Sequence, residues 1–146
     1  MSSDLRVVVD TNVLISGLLG IRNSPSSRIL NAIRAQKIIL VSSPLIIQEI
    51  GEVINRKRII KLTKMNPKER IDFIGKLIER SDITEGKQLS EIVGRDIQDD
   101  KFLACGIEGK ADYIITGDRD LLVLKKYQGL KIVTPREFID ILNKKD

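Results

Sequence analysis

One apolar run that ends in a carboxylate constrains the fold of this chain more than any other stretch. Residues 5–9 (LRVVV) are mostly β-branched, and Asp10 follows them directly. Because the run is too short for most helices, it predicts a strand that is buried on both faces, as in a parallel sheet. Asp10 then lies just past the carboxyl end of the strand, where open α/β sheets bind ligands. An aspartate at this point is equally suited to be the N-cap of a following helix.

The rest of the chain alternates between strand-like and helix-like segments. Further strands are predicted over residues 38–41, near Ile83, over 111–115 and over 131–133. Helices are predicted over 11–19, from Ser24, from Pro44, from Asn66 (apolar face Ile71, Ile74, Leu77 and Ile78), from near Lys101 and from Pro135. This alternation predicts a parallel sheet with right-handed crossovers. A chain of 146 residues suits one domain, which we place over residues 1–146.

Composition excludes several classes of enzyme. The chain has no histidine, which rules out a Ser-His-Asp triad, a Cys-His pair, a histidine-based ribonuclease and a His-ligated zinc site. A lone cysteine, Cys105, excludes an internal disulfide and is expected to be a buried structural thiol. Since neither a secretory signal nor a membrane-length apolar run is visible, we expect a cytoplasmic protein without a membrane partner. The net charge of +5 weakly favours a polyanionic partner.

Several carboxylates are expected to meet at one edge of the predicted sheet. Asp118 follows a buried strand as Asp10 does, and Glu49 lies on an otherwise apolar helix face. Asp99 and Asp100 stand at the predicted start of the helix that precedes the Asp118 strand. Taken singly, each has a structural explanation, such as a helix cap, a helix-dipole partner, an exposed turn or a solvated helix residue.

Their common location favours a metal site over those separate explanations. Carboxylates held close together repel one another unless a cation neutralises them. Hard oxygen ligands suit Mg²⁺ or Mn²⁺, which bind substrate phosphates. Attack of metal-activated water on a phosphodiester follows from that chemistry.

The segments that carry these residues resemble a PIN domain. They occur in the order of that family and cover nearly the whole chain, as residues 10–14 (DTNVL), 49–50 (EI), 99–103 (DDKFL), 115–122 (ITGDRDLL) and 134–138 (TPREF). The resemblance is strongest to PIN proteins assigned as toxins of toxin–antitoxin pairs. It implies a Rossmann-like three-layer α/β/α sandwich with a parallel sheet in strand order 3-2-1-4-5. It also implies a Mg²⁺- or Mn²⁺-dependent ribonuclease, an antitoxin partner and a homodimer.

The resemblance assigns roles to individual residues. Four acidic positions match the catalytic and metal-binding positions of the family: Asp10, Glu49, Asp100 and Asp118. Asp100 is preferred to Asp99 because Leu103 and Ala104 follow it at the family's spacing, although the choice stays open by one residue. Asn12 and Thr116 match positions that hydrogen-bond and orient the acids, and Asp120 is a further candidate, for a second metal.

RNA binding is expected to depend on the phosphate backbone. Residues 56–64 hold five basic residues and no acidic one, and we predict phosphate contacts from Arg56, Lys57, Arg58 and Lys61. The alternative for these residues is a solvated helix face. Aromatic residues make up only 3% of the chain, so base stacking cannot be a major source of affinity.

Three other functions are possible for a carboxylate-rich chain of this kind. A haloacid-dehalogenase-like phosphatase usually has a second acid two residues after its aspartate, where this chain has Asn12. A response-regulator receiver needs an acidic pair by the first strand, and none is evident. A non-catalytic RNA-binding or assembly module on the same fold is the remaining alternative, against which the intact acidic set argues.

Overall fold

A computed structural model of the chain centres on one six-stranded sheet. It describes residues 4–86 and 97–145, and for residues 97–100 only the helical backbone. The strands are β1 Leu5–Val9, β2 Ile38–Ser42, β3 Ser81–Ile83, β4 Tyr113–Ile115, β5 Lys126–Tyr127 and β6 Leu130–Val133. The helices are α1 Thr11–Leu18, α2 Pro25–Arg34, α3 Pro44–Ile54, α4 Lys57–Thr63, α5 Pro67–Arg80, α6 Ile97–Glu108, α7 Arg119–Leu122 and α8 Pro135–Lys145.

The strand order β3-β2-β1-β4-β6-β5 confirms the predicted α/β topology with one addition. All neighbouring strands run parallel except β5, which pairs antiparallel with β6. Without β5, the order is the predicted 3-2-1-4-5, with β6 as the fifth strand. The sequence did not predict the β5–β6 hairpin because its turn is Gln128-Gly129, both with positive φ, rather than the Asn-Gly pair that usually marks such turns.

The first strand has the environment that its composition predicted. Val7, Val8 and Val9 are at most 1% exposed, because β1 lies between β2 and β4 near the middle of the sheet. From β1 the chain builds outward through β2 to β3, and then returns across the sheet to β4. Since crossovers between parallel strands are right-handed, this reversal places the connections before and after it on opposite faces. The crevice that ligands occupy in such sheets therefore lies between β1 and β4.

Two sequence predictions of helices were wrong in detail, and the short helices α4 and α7 were missing from the predicted set. Helix α6 begins at Ile97, four residues before the predicted start near Lys101. Helix α5 buries Phe73 and Leu77, whereas Ile71 from the predicted apolar face is 71% exposed and Ile78 is 41% exposed. The short helix α7 was not predicted, and it begins where Asp118 caps it. The predicted edge strand near Ile83 is present as β3, and the expected loop after it lies largely outside the described residues.

Helices α2, α3 and α5 begin at strong capping residues. Ser24 and Ser43 accept hydrogen bonds from the first turns of α2 and α3, and each is followed by proline at the first helical position. Asn66 and Glu69 form a reciprocal capping box at the start of α5. Over residues 4–86 and 97–145, no helix has both the length and the apolar character needed to cross a membrane.

Candidate functional site

Strand pairing brings the residues after β1 and β4 side by side. Val9 pairs with Ile115, so the next residue on each strand, Asp10 and Thr116, also face each other. The backbone N–H of Asp10 donates to the Ile115 carbonyl at 2.9 Å. The Thr116 hydroxyl donates to Asp10 Oδ2 at 2.7 Å. Two residues that are 106 positions apart in the chain thus form one buried contact at the switch point of the sheet.

Asp10 is at once a helix cap and a buried carboxyl group. Its Oδ1 accepts a hydrogen bond from the Asn12 backbone N–H at the start of α1. Only 8% of the residue is exposed. Burial raises the pKa of Asp10 above its usual value, the bonds from Thr116 and Asn12 lower it, and the charges of Glu49 and Asp118 raise it further. A cation close to the Asp10 carboxylate would favour its charged form.

Asp118 is connected to Asp10 through Thr116. The backbone N–H of Asp118 donates to the Thr116 hydroxyl at 2.9 Å. The carboxylate of Asp118 then caps α7 by accepting from the Asp120 backbone N–H at 2.9 Å. Thr116 thus donates to the carboxylate of Asp10 and accepts from the backbone of Asp118, which fixes the point on the chain from which the Asp118 side chain extends.

Glu49 reaches the same region from α3. It lies three residues after Ile46 and four before Val53, both buried, so helical spacing directs it toward the sheet. The Thr11 hydroxyl donates to Glu49 Oε1. The Lys101 ammonium donates to Glu49 Oε2 at 2.6 Å, so both carboxylate oxygens have partners.

The three acids line one cavity of about 510 Å³. Asp10 and Asn12 come from the β1–α1 junction, Glu49 from α3, and Asp118 from the segment after β4. The remaining lining residues are Thr11, Val53, Arg56, Phe102 and Gly117. The cavity combines three carboxylates with one guanidinium and two apolar side chains.

The other predicted site residues lie in different surroundings. Asp99 and Asp100 occupy the first turn of α6, and their side chains lie outside the described residues. Asp120 is exposed in the first turn of α7 and is not among the residues that line the cavity. Of the predicted RNA-binding residues, Arg56 lines the cavity, whereas the exposed side chains of Lys57, Arg58 and Lys61 do not.

Sequence reasoning did not assign roles to Thr11 and Lys101. Both contact Glu49, which is 38 residues from Thr11 and 52 residues from Lys101. Thr11 follows Asp10 in the chain, and Lys101 follows the acidic pair of α6. Closeness in sequence to predicted metal ligands was therefore the only sign that either residue belongs to the site. Nothing in the sequence pairs either residue with Glu49.

The oxygen donors of the cavity suit a divalent cation, although the three acidic side chains that line it are not close enough to surround one completely. Within the described part of the chain, no group of three acidic or cysteine side chains is close enough to enclose a metal ion. Mg²⁺ keeps several waters and usually takes only one or two carboxylates from a protein, so it does not need a closed cage of protein ligands. Asp10, Glu49 and Asp118 therefore fit such an ion.

Cys105 takes no part in this cavity. It is 2% exposed, and burial raises the pKa of its thiol to about 12. A thiol that stays protonated at neutral pH is a poor nucleophile, which agrees with the structural role expected from the sequence.

Comparisons with known proteins agree with this architecture. A family model described as "PIN domain" matches residues 6–120. An uncharacterized protein of Methanocaldococcus jannaschii is 35% identical over 148 aligned residues, which cover 96% of this chain and 93% of that protein.

A solved structure shares the fold at low sequence identity. It is the crystal structure of VapBC2 from Rickettsia felis bound to a DNA fragment from their promoter. The similarity covers 89% of this chain and 98% of the matched chain, with a TM-score of 0.57 and 14% identity. At that identity the likeness supports the fold alone.

Proposed function

The chain belongs to the PIN domain family, and from this premise we propose that it is a Mg²⁺- or Mn²⁺-dependent endoribonuclease. The observation that carries the proposal is the meeting of Asp10, Glu49 and Asp118 in one cavity with Arg56. The three acids come from different elements. Asp10 and Asp118 also cap helices at strand ends, whereas capping does not account for Glu49, which α3 places at the same cavity. Asp100, in the first turn of α6, is the proposed fourth acidic ligand.

The proposed reaction is hydrolysis of an RNA phosphodiester. The oxygen of a water forms a bond to phosphorus, the bond from phosphorus to O3′ breaks, and O3′ takes a proton. The products are a 5′-phosphate and a 3′-hydroxyl. A bound divalent cation supplies Lewis acidity, which lowers the pKa of water and offsets negative charge on the phosphate.

The protein's own residues hold and orient these groups. Asp10, Glu49 and Asp118 would hold the cation, and Thr116 restrains the carboxylate of Asp10 and the backbone of Asp118 through its two hydrogen bonds. Arg56 offers its guanidinium to a phosphate oxygen, a contact that carries no base information. Val53 and Phe102 supply the apolar part of the cavity wall.

The experiment that tests the proposal is cleavage of a mixed RNA substrate by metal-stripped protein to which Mn²⁺ or Mg²⁺ is returned. We expect cleavage only with the added ion, and products with 5′-phosphate ends that can be ligated directly. Cleavage that persists in excess chelator, or that leaves cyclic phosphates, would contradict the proposed chemistry. Asp10→Asn, purified by the same chromatography steps as the unmodified protein, controls for contaminating nucleases.

We expect Arg56→Ala to raise the KM for RNA about tenfold, because loss of a charge-assisted hydrogen bond costs roughly 1.5 kcal/mol or more. Arg58→Ala is the matched control, since Arg58 is exposed on α4 and does not line the cavity. Steady-state kinetics at fixed salt distinguish the two variants. Equal effects from both would indicate a diffuse basic surface instead of a phosphate contact at the site.

A non-catalytic RNA-binding module remains the second candidate. It is favoured by the internal pairing of the acids, since Glu49 already has Thr11 and Lys101 as partners. The same cleavage assay decides between the two functions. RNA binding without metal-dependent cleavage would support the module.

The proposal extends to an antitoxin partner and a homodimer. Its support is the sequence resemblance to toxins of toxin–antitoxin pairs, together with a fold shared with a protein solved in the VapBC2 complex. Co-expression with the product of the neighbouring gene tests the partner. Sedimentation equilibrium of the isolated chain tests the dimer.

A further inference from the structure

The wall of the acidic cavity contains a paired positive charge. Lys101 Nζ lies 2.6 Å from Glu49 Oε2, and the side chains are 7% and 24% exposed, respectively. Lysine is almost never buried to this degree unless it is paired. The Lys101–Glu49 pair is therefore a fixed part of the site rather than a surface ion pair.

Lys101 reaches Glu49 from behind the acidic cavity. It lines a separate cavity of about 120 Å³ together with Ser43 and Cys105, and it is not among the residues that line the acidic cavity. Its ammonium also lies 5.1 Å from the centroid of the Phe102 ring, within the range of a cation–π contact. Phe102 faces the acidic cavity. The ammonium is thus held next to that cavity but outside it.

We propose that Lys101 is an internal counter-cation of the acidic site, which holds Glu49 in place in the metal-free protein and weakens the binding of a divalent cation. This inference rests on the proposed metal-dependent function. It concerns a positioning residue, since Lys101 acts through Glu49 and does not line the cavity that substrate would enter.

The carboxylates of Asp10, Glu49 and Asp118 share one cavity. Three carboxylates face it, and without a cation their mutual repulsion would favour rotation of the least restrained one away from the others. Glu49 has the longest side chain of the three and lies on a helix rather than at a strand end, so its carboxylate depends on the bonds from Thr11 and Lys101 to stay in place. The ammonium of Lys101 offsets that repulsion and keeps Glu49 directed toward the cavity.

The same charge must also repel an incoming cation. Each carboxylate oxygen carries two lone pairs, so the bonds from Thr11 and Lys101 leave Glu49 able to bind a metal. A divalent ion on Glu49 and the ammonium behind it would then share one carboxylate. At partly buried positions charges interact with an effective dielectric constant of about 20 instead of 80, so this repulsion is not screened away.

The test is titration of the metal-stripped, full-length protein with Mn²⁺ by calorimetry. We expect Lys101→Met to bind Mn²⁺ about fivefold or more tightly than the unmodified protein, because one nearby positive charge is removed. Lys101→Arg keeps the charge and should retain the original affinity. Lys68→Met removes an exposed charge on α5 and is the matched control. Lys101→Gln replaces the methionine variant if that variant does not fold.

A second measurement follows the same variants without metal. Lys101→Met should unfold at a lower temperature than the unmodified protein in chelator, and Mn²⁺ should raise its unfolding temperature by a larger amount. If Lys101 merely supported packing, its loss would weaken Mn²⁺ binding, and such a result overturns the inference. Equal affinity of Lys101→Met and the unmodified protein also overturns it. Absence of Mn²⁺ binding by both overturns the proposed nuclease function as well, which separates the two failures.

Discussion

Asp10→Asn is expected to reduce the rate of RNA cleavage by at least about 100-fold. Loss of a group that only supports a metal ligand lowers activity by about 10- to 100-fold. Loss of a ligand itself should lower it at least as much as the upper end of that range. Asparagine has nearly the same shape as aspartate but lacks the charge that would bind a divalent cation. Initial rates with saturating Mn²⁺ on one RNA measure the effect. Asp140→Asn, an exposed change on α8, is the control and should leave the rate unchanged.

The same variant should be at least as stable as the unmodified protein in chelator at pH 7. Burial raises the pKa of Asp10 in the folded state above its usual value of 3.8, so the folded protein binds the proton more tightly than the unfolded chain does. The resulting stabilisation is complete at pH below 3.8 and is lost as pH rises through the folded-state pKa. An asparagine side chain does not titrate, so the stability of the variant relative to the unmodified protein should increase with pH across that window.

Urea unfolding of both proteins between pH 4 and pH 7 measures this difference. An inactive and destabilised Asp10→Asn would indicate a structural role for the carboxylate. An inactive variant with equal or greater stability indicates that the charge is kept for function at a cost to the fold. Full activity in Asp10→Asn would remove the basis of the proposed mechanism.

Ile114→Ala is expected to lower the free energy of unfolding by about 3 kcal/mol, within the range for buried isoleucine truncation. Ile114 is 0% exposed and lies in β4 between Val8 of β1 and Ile132 of β6. Its loss leaves a cavity that the strands on both sides cannot close without breaking their pairing. For a chain of 146 residues, that loss corresponds to a fall in unfolding temperature of roughly 10 °C.

Ile71→Ala provides a matched control with the same chemical change. Ile71 is 71% exposed on α5, so its truncation should alter stability by less than about 0.5 kcal/mol. Urea unfolding with unchanged m-values measures both variants. Comparable losses of stability in the two variants would mean that Ile71 is covered in solution. A second copy of the chain would be the first candidate for that cover, and sedimentation would test it.

The sequence predicted the order of elements well because that order depends on local signals. Short β-branched runs between capped, amphipathic helices admit few alternatives, and chain connectivity then favours a parallel sheet. It failed at the β5–β6 hairpin, where Gln128 stands in place of a strong turn residue. It also failed on α5, where period alone could not decide between Ile71 and Phe73 as the buried residue.

Some features of the candidate site could likewise be predicted from the sequence, and others depend on packing. The positions of Asp10 and Asp118 just past strand ends could be read from the sequence, because a strand end is a local feature. Their connection through Thr116 depends on the register of β1 against β4. The pairing of Glu49 with Thr11 and Lys101 depends on how α3 and α6 pack at the sheet edge.

By itself, then, the amino-acid sequence determined the class of fold and the absence of histidine chemistry, and it predicted which acidic residues form the site. Only the tertiary structure decided which of them share a cavity, that Arg56 alone among the four predicted RNA-binding residues lines it, and that Lys101 lies behind Glu49. The physical reason is that helix and strand formation follow from neighbours in the chain. Electrostatic contacts between groups far apart in the chain follow from packing, which no local pattern encodes.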